Sequence, residues 1–295
     1  MKIPEILKKA DWYQKWGESG DIRPYVYVRP DNKIQNPGSL HRLDWFPMAP
    51  ICKNPLDTAE LNFAEQIYDI EGRAFGPANM AMPRWVFYDC AIIPGFVAGF
   101  AMKTEKLPPA LKKVLRSDLY CDWTPLSLFI IIPTMAEGQW VAHNLCAVNS
   151  LLPSEDRFYG LGFLSKAFGL WYANVESCLG MTQWGSPALK LHTHYGNLEV
   201  VTAYTPVHSH AKTITYRVAV NTAAWEKFFT REQDSEFQKQ YAPTSLIIDP
   251  KSEQSMKDLH ARIQKGEGPF YLSATEIGEK NLMDALTIYQ PQRVS

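Results

Sequence analysis

The sequence predicts an α/β fold, because two kinds of segment alternate along it. Apolar residues recur at helical spacing in segments with capping residues at their ends, and shorter apolar runs rich in strand-forming residues lie between them. The chain has 295 residues, of which 46% are apolar. It is therefore long enough to bury a sizeable core as one large domain, or as one domain with substantial extensions.

Charge and cysteine usage exclude several classes of protein. Thirty basic and 31 acidic residues give a net charge of -1, so we expect no nucleic-acid partner. The five cysteines form no CxxC pair, which disfavours a disulfide framework and a zinc ribbon. The N-terminus lacks the apolar run of a signal peptide, and no apolar stretch reaches the roughly 20 residues of a membrane helix. We expect a cytoplasmic protein without a membrane span.

The first half of the chain begins with a segment rich in Pro, Asn, Gly and Asp, residues 17–55, which is typical of an ordered extension. A capped helix is predicted over 54–76, where apolar residues follow the helical repeat. Strand-forming residues dominate the segments after it. The predicted strands are 84–93, 95–103, 125–133 and 139–152.

The second half continues the alternation. A helix is predicted over 163–178, followed by a turn at Gly180, and Ser186 with Pro187 marks the start of a short helix. The remaining predicted elements are strands 181–184, 198–205, 213–221, 244–249 and 269–274 and helices 223–241 and 252–266.

A glycine motif lies between the strand that ends near residue 152 and the helix that follows. It reads Arg157-x-x-Gly160-x-Gly162. The N–H groups at a helix start are unpaired and carry partial positive charge, glycines allow close approach, and an arginine adds a cationic fork. These are the parts of a phosphate site. The alternative is a strand-to-helix turn in which glycine serves conformation alone. Ser165 stands where a third glycine of GxGxxG would be, and no P-loop lysine follows.

The segment RFYGLG, together with the order of elements around it, resembles the acyl-CoA N-acyltransferase (GNAT) superfamily, whose signature loop is [Q/R]-x-x-G-x-[G/A]. Ala188, Leu191 and Gly196 match a second feature of that family, while Gly185 and Asn197 depart from it. The resemblance implies a mixed, mostly antiparallel central sheet flanked by helices over a core of residues 57–221. Residues 1–56 and 222–295 would then be N- and C-terminal extensions.

The resemblance also implies a function, the transfer of an acyl group from acyl-CoA to an amine or hydroxyl. Acetyl-CoA or a longer acyl-CoA would be the co-substrate, a small molecule or a peptide the acceptor, and a homodimer one expected assembly. His192 stands where the family often has a tyrosine that protonates the CoA thiolate, and a histidine can donate a proton near neutral pH. The thioester would be aligned by Val148, Asn149 and Ser150, and the pyrophosphate held by Arg157 and the backbone amides of Phe158, Tyr159, Gly160, Leu161, Gly162 and Phe163.

His143 offers a further hypothesis. His143, on a predicted strand, is a candidate general base for an amine, although strand histidines often serve packing alone. A nucleophilic pair of His143 with Cys146 is disfavoured, because residues i and i+3 of a strand face opposite sides.

The alternatives to an acyltransferase are a GNAT-shaped binding or regulatory protein without catalysis and a cupin-like metal-dependent enzyme.

The cupin-like alternative rests on the spacing of His192, His194 and Glu199. In a strand, two histidines at i and i+2 could hold one ion, but on a helix they point in different directions. Ser186 and Pro187 favour a helix here, so we expect no metal.

Overall fold

The structure is a computed structural model that describes residues 9–32, 49–116, 118–206, 210–220 and 234–292. The chain divides into two compact units, residues 1–174 and residues 175–295. Each unit is built around β-strands that pair with one another. The division into an extension over 1–56, a core over 57–221 and a second extension over 222–295 stays a prediction.

The first unit contains a mixed sheet. Its strands are β1 (Ile22–Tyr27), β2 (Ile51–Lys53), β3 (Phe96–Lys103), β4 (Trp123–Pro125), β5 (Ser127–Pro133) and β6 (Gln139–Ala147). The strand order is β2-β1-β3-β5-β6, and β4 pairs with β3 beside β5. The pairing of β1 with β2 is parallel and the others are antiparallel, which confirms the predicted mostly antiparallel arrangement.

Helices cover both faces of this sheet. They are α1 (Leu61–Phe75), α2 (Arg84–Val86), α3 (Pro109–Val114) and α4 (Leu161–Tyr172). Phe63 of α1 packs edge-on against Tyr25 of β1 at 5.0 Å between ring centroids. Gly169 of α4 lies against Ala98 of β3, because a Cβ at Gly169 would contact that side chain. Ala98 pairs with Val26, the residue after Tyr25, and therefore faces the other side of the sheet.

The strand prediction over 84–93 is wrong. The segment forms α2 and a π-helical turn, Phe87–Ile92. Strand-forming side chains dominate it, but Phe87 is fully buried and packs against Tyr68 of α1 at 5.8 Å. Packing on a helix therefore overrides the local preference for strand.

The strand prediction over 139–152 is too long, and the helix prediction over 163–178 is displaced. β6 ends at Ala147, and Val148–Leu151 forms a 3-10 turn. The following helix, α4, begins at Leu161, directly after a glycine in the left-handed conformation. The strand predicted at 95–103 is confirmed as β3.

Residues of the N-terminal segment belong to the sheet of the first unit. β1 pairs with β3 over six residues, from Ile22 opposite Met102 to Tyr27 opposite Val97. Tyr25 is fully buried and donates a hydrogen bond to the carbonyl of Ser127 at 2.8 Å. The segment predicted as an extension therefore contributes to the core.

The second unit contains an antiparallel sheet of six strands: β7 (Ser177–Gln183), β8 (Leu198–Thr202), β9 (Thr213–Ala219), β10 (Tyr241–Ile248), β11 (Tyr271–Leu272) and β12 (Leu286–Pro291). Their order is β7-β9-β8-β11-β12-β10. The helices are α5 (Pro187–His192), α6 (Asp234–Gln240), α7 (Glu253–Gln264) and α8 (Ala274–Glu279). No helix in the described parts of either unit is long and apolar enough to cross a membrane.

Capping predictions in the second unit are confirmed. Ser186 accepts a hydrogen bond from the amide of Ala188 at 3.1 Å at the start of α5, as its position before Pro187 predicts. The turn predicted at Gly180 is wrong, because Gly180 lies inside β7 and pairs with Tyr216 of β9. The hydroxyl of Tyr216 occupies the space of a Cβ there, which requires glycine at this position. Residues 223–233 of the helix predicted over 223–241 lie outside the described residues.

Candidate functional site

The glycine motif forms a tight entry into α4. Gly160 is the residue before the helix and has φ of 74°, a conformation that favours glycine. Helix α4 has 12 residues, enough for a full dipole at its N-terminus. The motif therefore presents the start of a helix at the end of the loop that follows β6.

The side chain of Asn149 braces this loop. Its Nδ2 donates to the carbonyl of Phe158 at 2.8 Å, and its Oδ1 accepts from the amide of Phe158 at 2.8 Å. The amide of Val148 donates to the carbonyl of Leu126 at 2.8 Å, and Ser150 donates to the carbonyl of Ala147 at 3.1 Å. The amides of Val148 and Phe158 are therefore taken by the protein itself.

The N-terminal segment supports the loop from outside. Nε1 of Trp12 donates to the carbonyl of Tyr159 at 2.9 Å. The rings of Trp12 and Trp16 lie 6.3 and 5.9 Å from that of Phe158. Phe158 therefore packs against two tryptophans of the N-terminal segment, and the carbonyl of Tyr159 faces Trp12.

Three amides at the start of α4 remain available. The N–H groups of Tyr159, Gly160 and Gly162 have no hydrogen-bond partner among the described residues, whereas that of Leu161 donates to the carbonyl of Phe158 at 3.2 Å. Phe163, in the first turn, is buried. Such amides and the helix dipole together attract an anion.

Gly162 leaves open space beside these amides. A Cβ built there would have no atom within 4 Å among its described surroundings. Glycine costs about 0.5–1 kcal/mol relative to alanine inside a helix, so packing within the protein gives no reason for it. The space and the amides fit a bound phosphate group. The residues present are therefore compatible with the pyrophosphate of CoA.

Arg157 lies exposed at the entrance of the motif. Its Nε donates to the carbonyl of Leu152 at 3.2 Å, which anchors the stem of the side chain. The two terminal nitrogens have no partner within the described parts of the chain. They are therefore available to a phosphate oxygen.

His143 lies at a β-bulge. Phe129 of β5 pairs with Leu145, but Ile131 pairs with Ala142, so two residues of β6, His143 and Asn144, stand opposite one residue of β5. A bulge turns neighbouring side chains toward the same side. Accordingly, Nδ1 of His143 lies 3.0 Å from Oδ1 of Asn144.

The orientation of Asn144 is set by a buried carboxylate. Nδ2 of Asn144 donates to Oε1 of Glu71 at 2.6 Å, and the amide of Met82 donates to the same carboxylate at 3.0 and 3.2 Å. Glu71 is fully buried, and burial raises its pKa against the effect of these two donors. With Nδ2 directed to Glu71, Oδ1 of Asn144 accepts from Nδ1–H of His143, which leaves Nε2 as the basic nitrogen.

The pKa shifts of His143 and Cys146 favour a general base over a nucleophile at this position. Desolvation lowers the pKa of His143 below its usual value, although part of the residue is exposed, while the Asn144 hydrogen bond acts in the opposite direction. Burial raises the pKa of Cys146 well above its usual value, and Glu71 adds to the increase. Cys146 is therefore a neutral thiol at neutral pH and a poor nucleophile.

His192 has a different environment in the second unit. It is the last residue of α5, is 6% exposed, and its ring lies 4.9 Å from that of Tyr216. His194 lies in the 3-10 turn that follows, and Glu199 pairs with Arg217 at 3.2 Å. The prediction that His192 lies in a helix is confirmed. No group of three or more potential metal ligands occurs within the described ranges.

Glu71, Asn144 and Trp12 were not among the residues predicted from sequence. Glu71 follows Ile70 on the amphipathic α1, and nothing in the spacing distinguishes it from a solvated glutamate. The Asn144 contact depends on the bulge, which only the pairing of β5 with β6 reveals. Trp12 offered one weak signal, as part of an aromatic cluster in a segment otherwise read as an extension.

No protein-family model matches the chain, and no curated protein matches it significantly. Among solved structures, the chain is similar to the ribosomal-protein-S18-alanine N-acetyltransferase from Escherichia coli, with 15% identity over 56% of this chain and 91% of that chain and a TM-score of 0.37. It is also similar to nourseothricin acetyltransferase, with 7% identity over 44% of this chain and 67% of that chain and a TM-score of 0.30.

Proposed function

We propose that this protein binds acyl-CoA and transfers the acyl group to an amine or hydroxyl. The observation that carries the proposal is the start of α4, where the amides of Tyr159, Gly160 and Gly162 and the open space at Gly162 fit a phosphate group. Arg157 adds positive charge beside them. The resemblance of RFYGLG to the GNAT signature supports the pyrophosphate of CoA as the anion.

The proposed phosphate cradle consists of Arg157 and the amides of Tyr159, Gly160 and Gly162. It contains fewer amides than the sequence alone predicts. The amides of Phe158, Val148 and Leu161 have partners within the protein. We therefore assign Asn149 to bracing the loop and leave the alignment of the thioester by residues 148–150 as a prediction. Phe163 stays a predicted member of the cradle.

The first unit also supplies a candidate general base, His143. It lies four residues before the end of β6, a distance of about 13 Å along a strand. In the proposed reaction, Nε2 of His143 takes a proton from the acceptor amine while the amine nitrogen attacks the thioester carbonyl. A nitrogen–carbon bond forms, the carbon–sulfur bond breaks, and the electron pair leaves with the CoA thiolate.

The departing thiolate needs a proton, and His192 stays a prediction for that role. A thiol has an ordinary pKa of about 8.5, so solvent can protonate the thiolate at neutral pH. The burial of His192 against Tyr216 supports a packing role equally well. We therefore propose a mechanism in which His192 is not required.

A second candidate function is acyl-CoA binding without catalysis. Burial of His192 against Tyr216 would favour it if the reaction required His192 as the acid, because a proton donor must contact the substrate. Turnover separates the two candidates. A protein that binds acyl-CoA but consumes no thioester with any amine or alcohol of a broad panel would be a binding or regulatory module.

A calorimetric titration of the full chain with acetyl-CoA and longer acyl-CoAs tests the binding step. Wild type is expected to bind at least one of them, and Gly162→Trp is expected to weaken binding at least about tenfold because the indole fills the space at the amides. Gly160 is a poorer position for this test, since its positive φ strains any substitution.

The matched control is Gly72→Trp. Gly72 also lies in a helix, α1, and its Cβ would likewise meet nothing within 4 Å. This variant should bind as wild type does. Absence of binding by wild type to every acyl-CoA, or equal binding by the two tryptophan variants, would overturn the proposed cradle.

A further inference from the structure

The second unit contains a cleft on one face of its sheet. Arg217 of β9 pairs with Glu199 of β8, and Glu199 pairs with Tyr271 of β11. Directly opposed residues of antiparallel strands project from the same face, so these three side chains form a row. A cavity of about 290 Å³ lies against this row, with Ser177 and Tyr241 also in its wall.

The cleft holds hydrogen-bond donors that the protein does not use. Nη1 of Arg217 donates to both carboxylate oxygens of Glu199 at 3.2 Å, so a single nitrogen makes the contact and the guanidinium fork is not engaged. Nε of Arg217 and Oγ of Ser177 are buried and have no hydrogen-bond partner within the described residues. Buried polar groups are usually paired, so each such atom indicates a missing partner.

Asn197 adds a third donor. Its Oδ1 accepts from the amide of Ala274 at 2.7 Å, which directs that oxygen away from further use and leaves Nδ2 without a partner in the described parts of the chain. Both oxygens of Glu199 are already engaged by Arg217. The unused groups at the wall are therefore mostly donors, which fits an acceptor-rich, anionic ligand.

Aromatic rings form the other part of the wall. The rings of Phe237 and Tyr241 are stacked at 4.6 Å, and that of Tyr271 lies 4.4 Å from Tyr241. Burial, with Tyr241 nearby, raises the pKa of Tyr271 to about 12, so its hydroxyl is neutral at pH 7. A planar ring can pack on such a wall.

We propose that this cleft binds a small aromatic carboxylate, with the carboxylate on Arg217 and the ring against Tyr241 and Tyr271. The fork of Arg217 matches the two oxygens of a carboxylate, and the volume suits one ring with its substituent. The site needs no CoA. Its presence or absence is therefore independent of the proposed acyl transfer.

Titration of the full chain with benzoate, followed by calorimetry or ligand-observed NMR, tests the proposal. Three comparison ligands isolate the chemistry: benzamide lacks the charge, acetate lacks the ring, and benzylamine reverses the charge. Benzoate is expected to bind at least about tenfold more tightly than any of them, because a hydrogen bond to a charged group contributes about that much.

Two substitutions distinguish Arg217 from its partner. Arg217→Met should weaken benzoate binding at least about tenfold, whereas Glu199→Gln should strengthen it, since removal of the competing carboxylate frees Nη1. The control is Arg262→Met, which breaks another Arg–Glu pair of 3.2 Å in the same unit and does not line the cleft. Thermal unfolding checks that each variant is folded.

Three results would overturn the proposal. Saturation by none of the four ligands would show that the cleft is no site for such molecules. Tighter binding of benzylamine, lost in Glu199→Gln, would make it a cation site. Equal benzoate binding by wild type and Glu199→Gln, with loss in Arg262→Met, would place the ligand elsewhere. If Arg217→Met does not fold, two other single variants replace it. Ser177→Ala, which removes a donor of the cleft, should weaken benzoate binding, and Glu199→Gln should strengthen it.

Discussion

His143 and His192, the two histidines that the sequence offers as catalytic groups, have opposite surroundings. His143 lies at a bulge in β6, partly exposed, with Nδ1 held by Asn144 and that amide held in turn by Glu71. His192 ends α5, is 6% exposed, and packs against Tyr216. The first therefore has an oriented ring on a partly exposed residue, and the second has a buried ring packed against Tyr216.

The difference shows what spacing along a chain can and cannot identify. The match of His192 to a family position rests on its distance from the glycine motif, and distance carries no information on burial. His143 matches no motif, yet the bulge and the buried carboxylate give it the arrangement of a base with an orienting partner. The following tests examine these two histidines and the groups that hold His143.

The largest effect is expected for His143→Gln. Loss of the general base should lower kcat/KM for acyl transfer to an amine by about a hundredfold to ten-thousandfold, while acyl-CoA affinity changes little because the cradle is separate. Steady-state kinetics and calorimetry measure the two quantities. Unchanged turnover by this variant would remove His143 from the mechanism.

Asn144→Leu is expected to have a smaller effect, about tenfold on kcat, because the ring of His143 loses its orientation. The Asn144 hydrogen bond raises the pKa of His143, so its removal should move the acidic limb of the pH–rate profile to lower pH. In the double variant with His143→Gln, the second substitution should cost nothing further. A shift of the limb to higher pH would contradict this role.

His192→Gln should act on stability more than on catalysis. Loss of the buried ring beside Tyr216 is expected to lower the free energy of unfolding by about 1–3 kcal/mol, and kcat/KM should change less than about tenfold. Denaturant unfolding and steady-state kinetics give both values. A folded, stable variant with a loss of kcat as large as that of His143→Gln would instead make His192 the acid.

The smallest effect concerns Glu71. Its raised pKa means that the folded protein binds the proton more tightly than the unfolded chain, so this group makes stability decrease as pH rises from the ordinary glutamate value to the raised one. The slope is at most about 1.4 kcal/mol per pH unit. Glu71→Gln should remove it in unfolding measurements across that range. An unchanged slope would show that another group causes it.

Local chemistry made part of this structure predictable. Ser186 before Pro187 predicts the start of α5, and the glycines at 160 and 162 predict a tight entry into a helix, because capping and positive φ depend on adjacent residues. Strand-forming composition, which is also a local property of the chain, predicts β3 and β5. The mixed, mostly antiparallel sheet agrees with the expectation that followed from the GNAT resemblance.

Long-range packing decided the remainder. Strand-forming residues at 84–92 became helical because Phe87 packs on α1. Gly180 lies within a strand because β7 pairs with β9, and it is glycine because Tyr216 fills the space beside it. The Glu71–Asn144 contact joins residues 73 positions apart, and the bulge depends on the register between two strands. None of these partners is encoded by neighbouring residues.

Amide hydrogen exchange in the presence and absence of CoA tests the central claim most directly. The amides of Tyr159, Gly160 and Gly162 are expected to exchange more slowly when CoA is bound, because the pyrophosphate would accept their hydrogen bonds. Those of Phe158 and Val148 should change little, since each already has a protein partner. Protection at the first three amides is the predicted result, and bound CoA with no change at any of them would contradict the account.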